Sequence, residues 1–506
     1  MIKRTKNIIT ILLTLSVALS VSAGLVFAAD NDGWTEASKT TAAEDGSWEK
    51  WCGEWESVKN NPTQISLTPG KNESELNFAW YSKSNSGIKS RFKFGKKEDL
   101  SDAKEVDVSS EEAVKGYMSN KCTITGLTEN TTYYYSYTVD GKWTEPVSYR
   151  TRGSKFFSVL FVGDPQIGSS SGNTASGEEA EQGQDKATRN DSFNWNNTIN
   201  TALKENPNIS FMISAGDQIQ SRDKKNSSKD YDKNEIEYAG YLSPSALKSL
   251  PVSTTIGNHD SPSGNYSYHF NNPNESGLGE TMAGGSYYYT YGNTLFIVLN
   301  TNNYNIAEHK ELIEKAVKEN QDAKWRVVTM HQDIYGSGEH SNEPQIVNLR
   351  YNLVPIFEEN HIDVVLTGHD HTYSRSHLLS SGRREKDSSK LISEDDYDKY
   401  INGETPSDEK YDSYLDSIGD KDSVVSDLNN TVYDPQGILY LTANSASGSK
   451  YYDLVTKKQS YIASRWQEDV PTYSVLDISD KEFRINTYRT DNNEKIDDTF
   501  TIVKTK

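Results

Sequence analysis

Five short apolar runs in this 506-residue chain each end in residues able to bind a metal ion or move a proton. In chain order they are FFSVLFVGDPQ, with Asp164 and Gln166; ISFMISAGDQIQ, with Asp217 and Gln220; VSTTIGNHD, with Asn258, His259 and Asp260; WRVVTMHQ, with His331; and IDVVLTGHDH, with His369 and His371. Short runs rich in β-branched residues and closed by such clusters read as buried strands whose carboxyl ends carry functional groups. In layered α/β architectures, ligands bind along that edge of the sheet. Two Asp, one Asn and three His gathered there supply enough hard oxygen and imidazole donors for two adjacent metal ions. Paired cations can clamp the attacking and leaving oxygens of a phosphate ester together, so cleavage of such esters is the chemistry that suits this set.

The elements that must position these groups are legible in the periodicity. From Phe156 onward, strands alternate with helical stretches. Trp195, Ile199, Ala202 and Leu203 recur at helical spacing before Asn206-Pro207, and Ile306, Ile313, Ala316 and Val317 do so before Trp325. That alternation predicts a layered α/β domain. SYYYTYGNTLFIVLNT reads as a hairpin about Gly292-Asn293, and the carboxyl-terminal strands read as antiparallel additions. Upstream, residues 61–151 alternate apolar and polar residues between Gly, Asn and Asp turns, as a β-sandwich does, and Gly153-Ser154 ends it. Residues 30–60 are polar with four tryptophans, Trp34, Trp48, Trp51 and Trp55, expected to pack onto the next domain rather than to form a carbohydrate-contacting patch. Two segments interrupt the pattern after catalytic strands, residues 168–190 and about 380–432. They read as rim insertions that cover the site or select substrate, or as solvated loops.

The order GD…GD…GNHD…H…GHDH resembles the calcineurin-like metallophosphoesterase superfamily, and within it the purple-acid-phosphatase-like branch. PTQISLTPG at 62–70, FAWYS at 78–82, CTITGLTENTTYYYSYTV at 122–139 and SYRT at 148–151 are similar to that branch's fibronectin-III-like amino-terminal domain. GHDHTYSR and GILYLTANSASG stand where the family has them, and TYSVLDISDKEFRINTYRT looks like its last strand pair. The resemblance implies an α/β protein: a fibronectin-III-like β-sandwich over 61–152, then a four-layer α/β/β/α metallophosphoesterase domain over 153–506.

It also implies roles. Asp217 would bridge two ions, giving one carboxylate oxygen to each. Asp164 and His371 would complete one shell, and Asn258, His331 and His369 the other. The implied cofactors are two divalent ions, Mn, Fe or Zn. Two departures from the family pattern matter. Many metallophosphoesterases have Asp-x-His in the first motif, where this chain has Asp164-Pro165-Gln166. Purple acid phosphatases have Asp-x-x-Tyr in the second, whose tyrosinate binds ferric iron and gives the colour; this chain has Asp217-Gln218-Ile219-Gln220. The Gln166 carbonyl is the better candidate for the vacant position and Gln220 the second, so divalent metal and no purple colour are expected. His259 matches the family's phosphate-contacting histidine. His340, nine residues beyond His331 in a glycine-rich loop, stands where plant-type members have the acid that protonates the leaving alkoxide. His269, His309, His361 and His377 read as structural or surface residues.

The implied function is a secreted dinuclear-metal phosphoesterase that hydrolyses phosphate monoesters, acid-phosphatase-like, by metal-activated hydroxide. The same core supports phosphodiesterase or nucleotidase activity, and a retained fold supports a non-catalytic surface-binding protein. A phosphorylated small molecule or peptide is the expected partner. Residues 1–29 read as a signal peptide: Lys3, Arg4 and Lys6, an apolar stretch over 8–27, and Ala28-Ala29 at a cleavage site. That stretch is long enough for an anchor, but its Ser, Thr and Gly interruptions favour cleavage, and no later segment is apolar enough to span a bilayer. The expected location is extracellular or cell-surface. A net charge of −20, to which the signal contributes three basic residues and no acidic one, repels nucleic acid and anionic membrane. An exported chain permits a disulfide between its two cysteines, Cys52 and Cys122.

Overall fold

The computed structural model describes residues 33–84, 87–174, 180–221, 233–380, 389, 391–401, 408–419, 424–426 and 430–505; the expected signal peptide lies outside them. Alternation along the strands builds the α/β domain's layers. Val159 and Phe161 point to one face of their strand, and Leu160 and Val162 to the other. The first face meets Phe296, Val298, Val327, Leu366 and Leu441 of a second sheet, so the two sheets sandwich a shared core. Leu160 and Val162 pack with Trp195, Ile199 and Ala202 of the helix Ala180–Glu205. On the far side, Leu295, Ile297 and Val328 pack with Leu312, Ile313 and Ala316 of the helix Ile306–Glu319 and with Leu349 and Leu353 of Pro344–Glu359. The result is the expected four-layer α/β/β/α arrangement.

The first sheet runs Val252–Thr254, Ile209–Ser214, Phe156–Val162, Thr472–Ser479, Glu482–Arg489, Phe500–Val503 and Thr431–Tyr433 in neighbour order. The second runs Tyr287–Tyr291, Thr294–Leu299, Trp325–Met330, Val364–Thr367, Leu439–Thr442, Tyr373–Ser376 and Ile462–Trp466. Phe156–Val162, Ile209–Ser214 and Val252–Thr254 pair parallel, as do Trp325–Met330 and Val364–Thr367. All five sequence motifs therefore emerge at carboxyl ends of parallel strands. The hairpin about Gly292-Asn293 forms as expected. Thr472–Ser479 and Glu482–Arg489 pair antiparallel but are not the last strands; Phe500–Val503 follows and extends their sheet.

The upstream sandwich closes over Phe78, Trp80, Phe92, Tyr135 and Tyr137. Phe78 and Phe92 have ring centroids 4.6 Å apart, within the range of favourable aromatic pairs. Its strand Leu76–Lys83 reaches the α/β domain through Tyr81, whose hydroxyl donates to buried Glu235 over 3.1 Å.

Four expectations change. The tryptophan-rich segment forms a helix, Ser47–Lys59, whose tryptophans dock on the α/β domain's Ala180–Glu205 helix. Trp51 Nε1 donates to Arg189 O at 2.8 Å, Trp55 Nε1 to Asp185 at 3.0 Å, and Trp48 packs against Phe193. Cys52 and Cys122 are both free: Cys52 lies on this docked helix, whereas Cys122 is buried in the sandwich core. The stretch 168–190 is helical from Ala180 rather than a loop. Within 380–432, helices Glu394–Ile401 and Asp408–Ile418 pack their Tyr397, Tyr414 and Leu415 against Val347 and Tyr351 of Pro344–Glu359, while other parts lie outside the described residues.

Candidate metal centre

Tight turns follow each strand and aim the side chains inward. Asp164, Gln166, Asp217, His369 and His371 all have left-handed backbone, with φ of 46°, 35°, 47°, 73° and 47°. Non-glycine residues seldom adopt this region, and where they cluster the surrounding structure must hold them there. The preceding glycines allow close approach. A Cβ at Gly216 would strike the His331 ring, and one at Gly257 would strike Asp217. Backbone donors complete the turns: His369 N–H donates to both Asp164 oxygens, at 3.0 and 2.8 Å, and His259 N–H to Asp217 Oδ1 at 2.8 Å.

The ligating atoms of Asp164, Asp217 and His331 lie within 4.8 Å of one another, all buried, and are able to hold a metal ion. His331 Nε2 lies 2.9 Å from Asn258 Oδ1, 3.1 Å from His369 Nδ1 and 3.4 Å from Asp217 Oδ2. His371 Nε2 lies 3.6 Å from Asp164 Oδ1. The opposite ring nitrogens of His331 and His371 donate to main-chain oxygens, His331 Nδ1 to Ala215 at 2.9 Å and His371 Nδ1 to Lys450 at 2.7 Å. Such bonds set tautomer and ring orientation, leaving Nε2 for a metal.

The two glutamines separate in role. Gln166 is buried; its Nε2 donates to Gln220 Oε1 at 2.8 Å, while its own Oε1 is buried without a hydrogen-bond partner among the described residues. An orphaned buried carbonyl in the turn that follows Asp164, where the Gln166 main-chain N–H donates to Asp217 O at 2.7 Å, fits a cation. Gln220 Oε1 is instead used by Gln166, and Gln220 main-chain O accepts from His259 Nδ1 at 2.5 Å. Gln220 thus supports Gln166 and His259 rather than presenting a free carbonyl. Replacing Gln166 by Leu is expected to weaken one of two metal equivalents by at least ~10-fold, the lower end of the loss seen even for outer partners. Titration against a chromophoric chelator measures this.

The electrostatics also call for positive charge. Burial raises the Asp164 carboxyl well above the usual carboxylate range despite His331 nearby. At Asp217 burial is outweighed by His331 and His259, which hold it low. Burial opposes protonation of His331, yet Asp217 and Asp164 bring it to about 9. His371 is pushed down to about 3 by burial, and His369 well below its ordinary value by burial and by His331. Two neutral imidazoles face two carboxylates that draw a proton onto a third. A divalent cation answers the same need with more charge and directed coordination.

His259 is beside this cluster, its Nε2 3.9 Å from Asp217 Oδ2. His340 packs on His369, with ring centroids 4.9 Å apart, and its Nδ1 donates to Glu343 Oε1 at 2.6 Å. Burial lowers its basicity, but Glu343 and then Asp370 raise it to about 9. The remaining histidines sit elsewhere; His269 bonds Glu235 at 2.9 Å and His309 bonds Asn303 O at 2.7 Å.

Sequence reading gave no role to three supports, of which it had singled out only Asp260. Asp370, between His369 and His371, accepts from Gly338 N–H at 2.5 Å and His340 N–H at 3.0 Å, tying the His340 loop to the cluster. Its position inside GHDH was the available signal. Asp260 accepts from Gly257 N–H at 2.9 Å and Gln218 N–H at 3.3 Å. Tyr452 sets its ring edge-on to both His340, at 4.7 Å, and His371, at 5.1 Å, and nothing in its local sequence marks it. No tyrosine takes the place of Gln220 in the second motif. Iron-loaded aerobic protein is therefore expected to lack an intense visible charge-transfer band; such a band would bring a tyrosinate, Tyr452 first, into the shell.

Comparison with known proteins agrees with the fold. Residues 157–373 match the family described as calcineurin-like phosphoesterase, and residues 62–151 match the purple acid phosphatase N-terminal domain. An uncharacterized protein of Mycobacterium tuberculosis, found in two strains, is 26% identical over 152 residues, 26% of this chain. The chain spans only 28% of the length of those relatives. A purple acid phosphatase from yellow lupin (Lupinus luteus) seeds shares the fold at a TM-score of 0.61 and 14% identity, over 88% of this chain and 75% of its own.

Proposed function

We propose that this chain, which carries a calcineurin-like phosphoesterase domain behind a purple acid phosphatase N-terminal domain, is an exported hydrolase of phosphate monoesters that works with two divalent metal ions. The observation that carries the reading is the convergence of Asp164, Asp217 and His331, with Gln166 Oε1 buried and unpartnered in the turn that follows Asp164. Asp164, Gln166 and His371 would hold one ion and Asn258, His331 and His369 the other, with Asp217 shared. When bound, the ions supply Lewis acidity for the phosphoryl oxygens and a nucleophilic water near neutral pH.

The chain's own residues do the rest. His259, held by Gln220 O, contacts the phosphoryl oxygens and stabilises charge that grows in the transition state. His340 as imidazolium keeps its Nδ1 proton on Glu343 and offers the Nε2 proton to the leaving oxygen. The acid form is lost as pH rises through about 9, and cations bound nearby lower that value toward neutrality. An imidazolium and the Lys450 ammonium, 2.7 Å from Tyr452 Oη, favour a doubly charged monoester over a singly charged diester. The basic and apolar start of the chain supports export; amino-terminal sequencing of protein from the culture medium tests it.

The deciding experiment compares an aryl phosphate with its diester before and after chelation, alongside elemental analysis. Faster monoester cleavage that chelation abolishes and divalent metal restores is expected. Preference for the diester replaces the substrate class, and two bound metals with no turnover favours a non-catalytic binding protein.

A further inference from the structure

One carbonyl orients His371, and that carbonyl belongs to Lys450. It sits in a loop that touches the centre on three sides. Ser445 Oγ donates to Asp164 O at 3.2 Å, and Ser447 Oγ donates to Pro165 O. Tyr452 lies against His371 and His340. The loop is pinned from outside by a segment more than 400 positions away in the chain. Tyr451 N–H donates to Gly33 O at 2.9 Å, Thr35 N–H donates to Gly448 O at 2.8 Å, and Thr35 Oγ1 and Tyr451 Oη are 2.7 Å apart. Tyr451 is buried, with 1% of its surface exposed. The segment is itself anchored: Asn190 and Asn194 side-chain amides donate to Thr35 O at 3.1 and 2.9 Å, and Ala37 N–H donates to Asn190 Oδ1 at 2.7 Å.

We propose that Gly33–Ala37 is a strap that positions His371 through Tyr451 and Lys450, and so sets the affinity for one of the two metal ions. The proposal rests on the dinuclear reading above. Its physical basis is geometric. A peptide carbonyl holds its direction only while its neighbours are fixed, and Tyr451 is fixed on both main chain and side chain by Gly33 and Thr35. Loosening Tyr451 lets the Lys450 carbonyl turn, and the His371 ring then loses the bond that aims Nε2 toward Asp164. Asn258 and His331 stand on other turns, after the strands Val252–Thr254 and Trp325–Met330. Thr35 and Tyr451 are positioning residues.

The test uses the full chain with Thr35→Val, Tyr451→Phe and Thr35→Ser. Zinc or manganese is titrated in competition with a chelator, and His371→Ala and Asn258→Ala serve as references for the two ions. In Thr35→Val and in Tyr451→Phe, the equivalent weakened in His371→Ala should weaken by ~10-fold, the low end for outer-shell partners. The equivalent weakened in Asn258→Ala should not change, and Thr35→Ser, which keeps the hydroxyl, should bind as the parent does. Tyr451→Phe keeps the buried ring, so it still reports should Thr35→Val not fold. Unchanged affinity for both ions, or equal loss of both, overturns the strap even if the melting temperature falls. A parent protein that binds no metal overturns the dinuclear reading instead.

Discussion

Asp217→Asn is expected to abolish measurable hydrolysis and to leave the protein with fewer than two metal equivalents. An amide oxygen is neutral and its nitrogen cannot ligate, so it cannot join two cations as a carboxylate does. The side chain meets His331 Nε2 at 3.4 Å, and its ligand atom lies within 4.8 Å of that of Asp164, so the change reaches a ligand of each ion. Turnover should fall by more than the ~10²–10³-fold that loss of a single preorganised donor costs. The comparison is with the one-sided variants: Asp164→Ala and His371→Ala should weaken one ion, and Asn258→Ala and His331→Ala the other. Elemental analysis beside steady-state kinetics checks both parts. Asp217→Asn protein with two equivalents and near-normal turnover would remove the bridge.

His340→Ala is expected to slow esters of poorly acidic alcohols by about 10²–10⁴-fold while sparing aryl phosphates, whose leaving group departs without a proton. The contact of His340 with His369 and its bond to Glu343 motivate the assignment, because they hold a charged imidazole at the edge of the cluster. His259→Ala should slow both classes alike, since it acts on the phosphoryl group every substrate shares. Rates on alkyl and aryl esters of matched charge separate the two roles. Equal slowing of both classes by His340→Ala would pass the acid role to His259 or to water.

The donors, the layers and the order of the motifs were legible in the chain by itself. Apolar alternation reports which side of a strand is buried, and a polar cluster ending such a run leaves few places to go but the sheet edge. Asp164, Asp217, Asn258, His331, His369 and His371 accordingly meet. Tertiary structure alone decided which atoms face inward. Gln166 and Gln220 have the same side chain and each follows a motif Asp closely, yet Gln166 Oε1 is left without a partner while Gln220 Oε1 accepts from Gln166 Nε2. That difference depends on a contact across 54 positions, which no local pattern encodes. Likewise the tryptophans mark a buried surface but not its owner, and Asp185, Arg189 and Phe193 became that owner only when the long helix was in place. The two cysteines follow the same logic, since their spacing says nothing of the distance between a docked helix and a sandwich core. Composition and period act over neighbouring residues. The contacts of Tyr451 with Gly33 and Thr35, the bond to Asp370 that ties down the His340 loop and the direction of each ligand come from packing between segments distant in sequence, where side-chain direction depends on the whole fold.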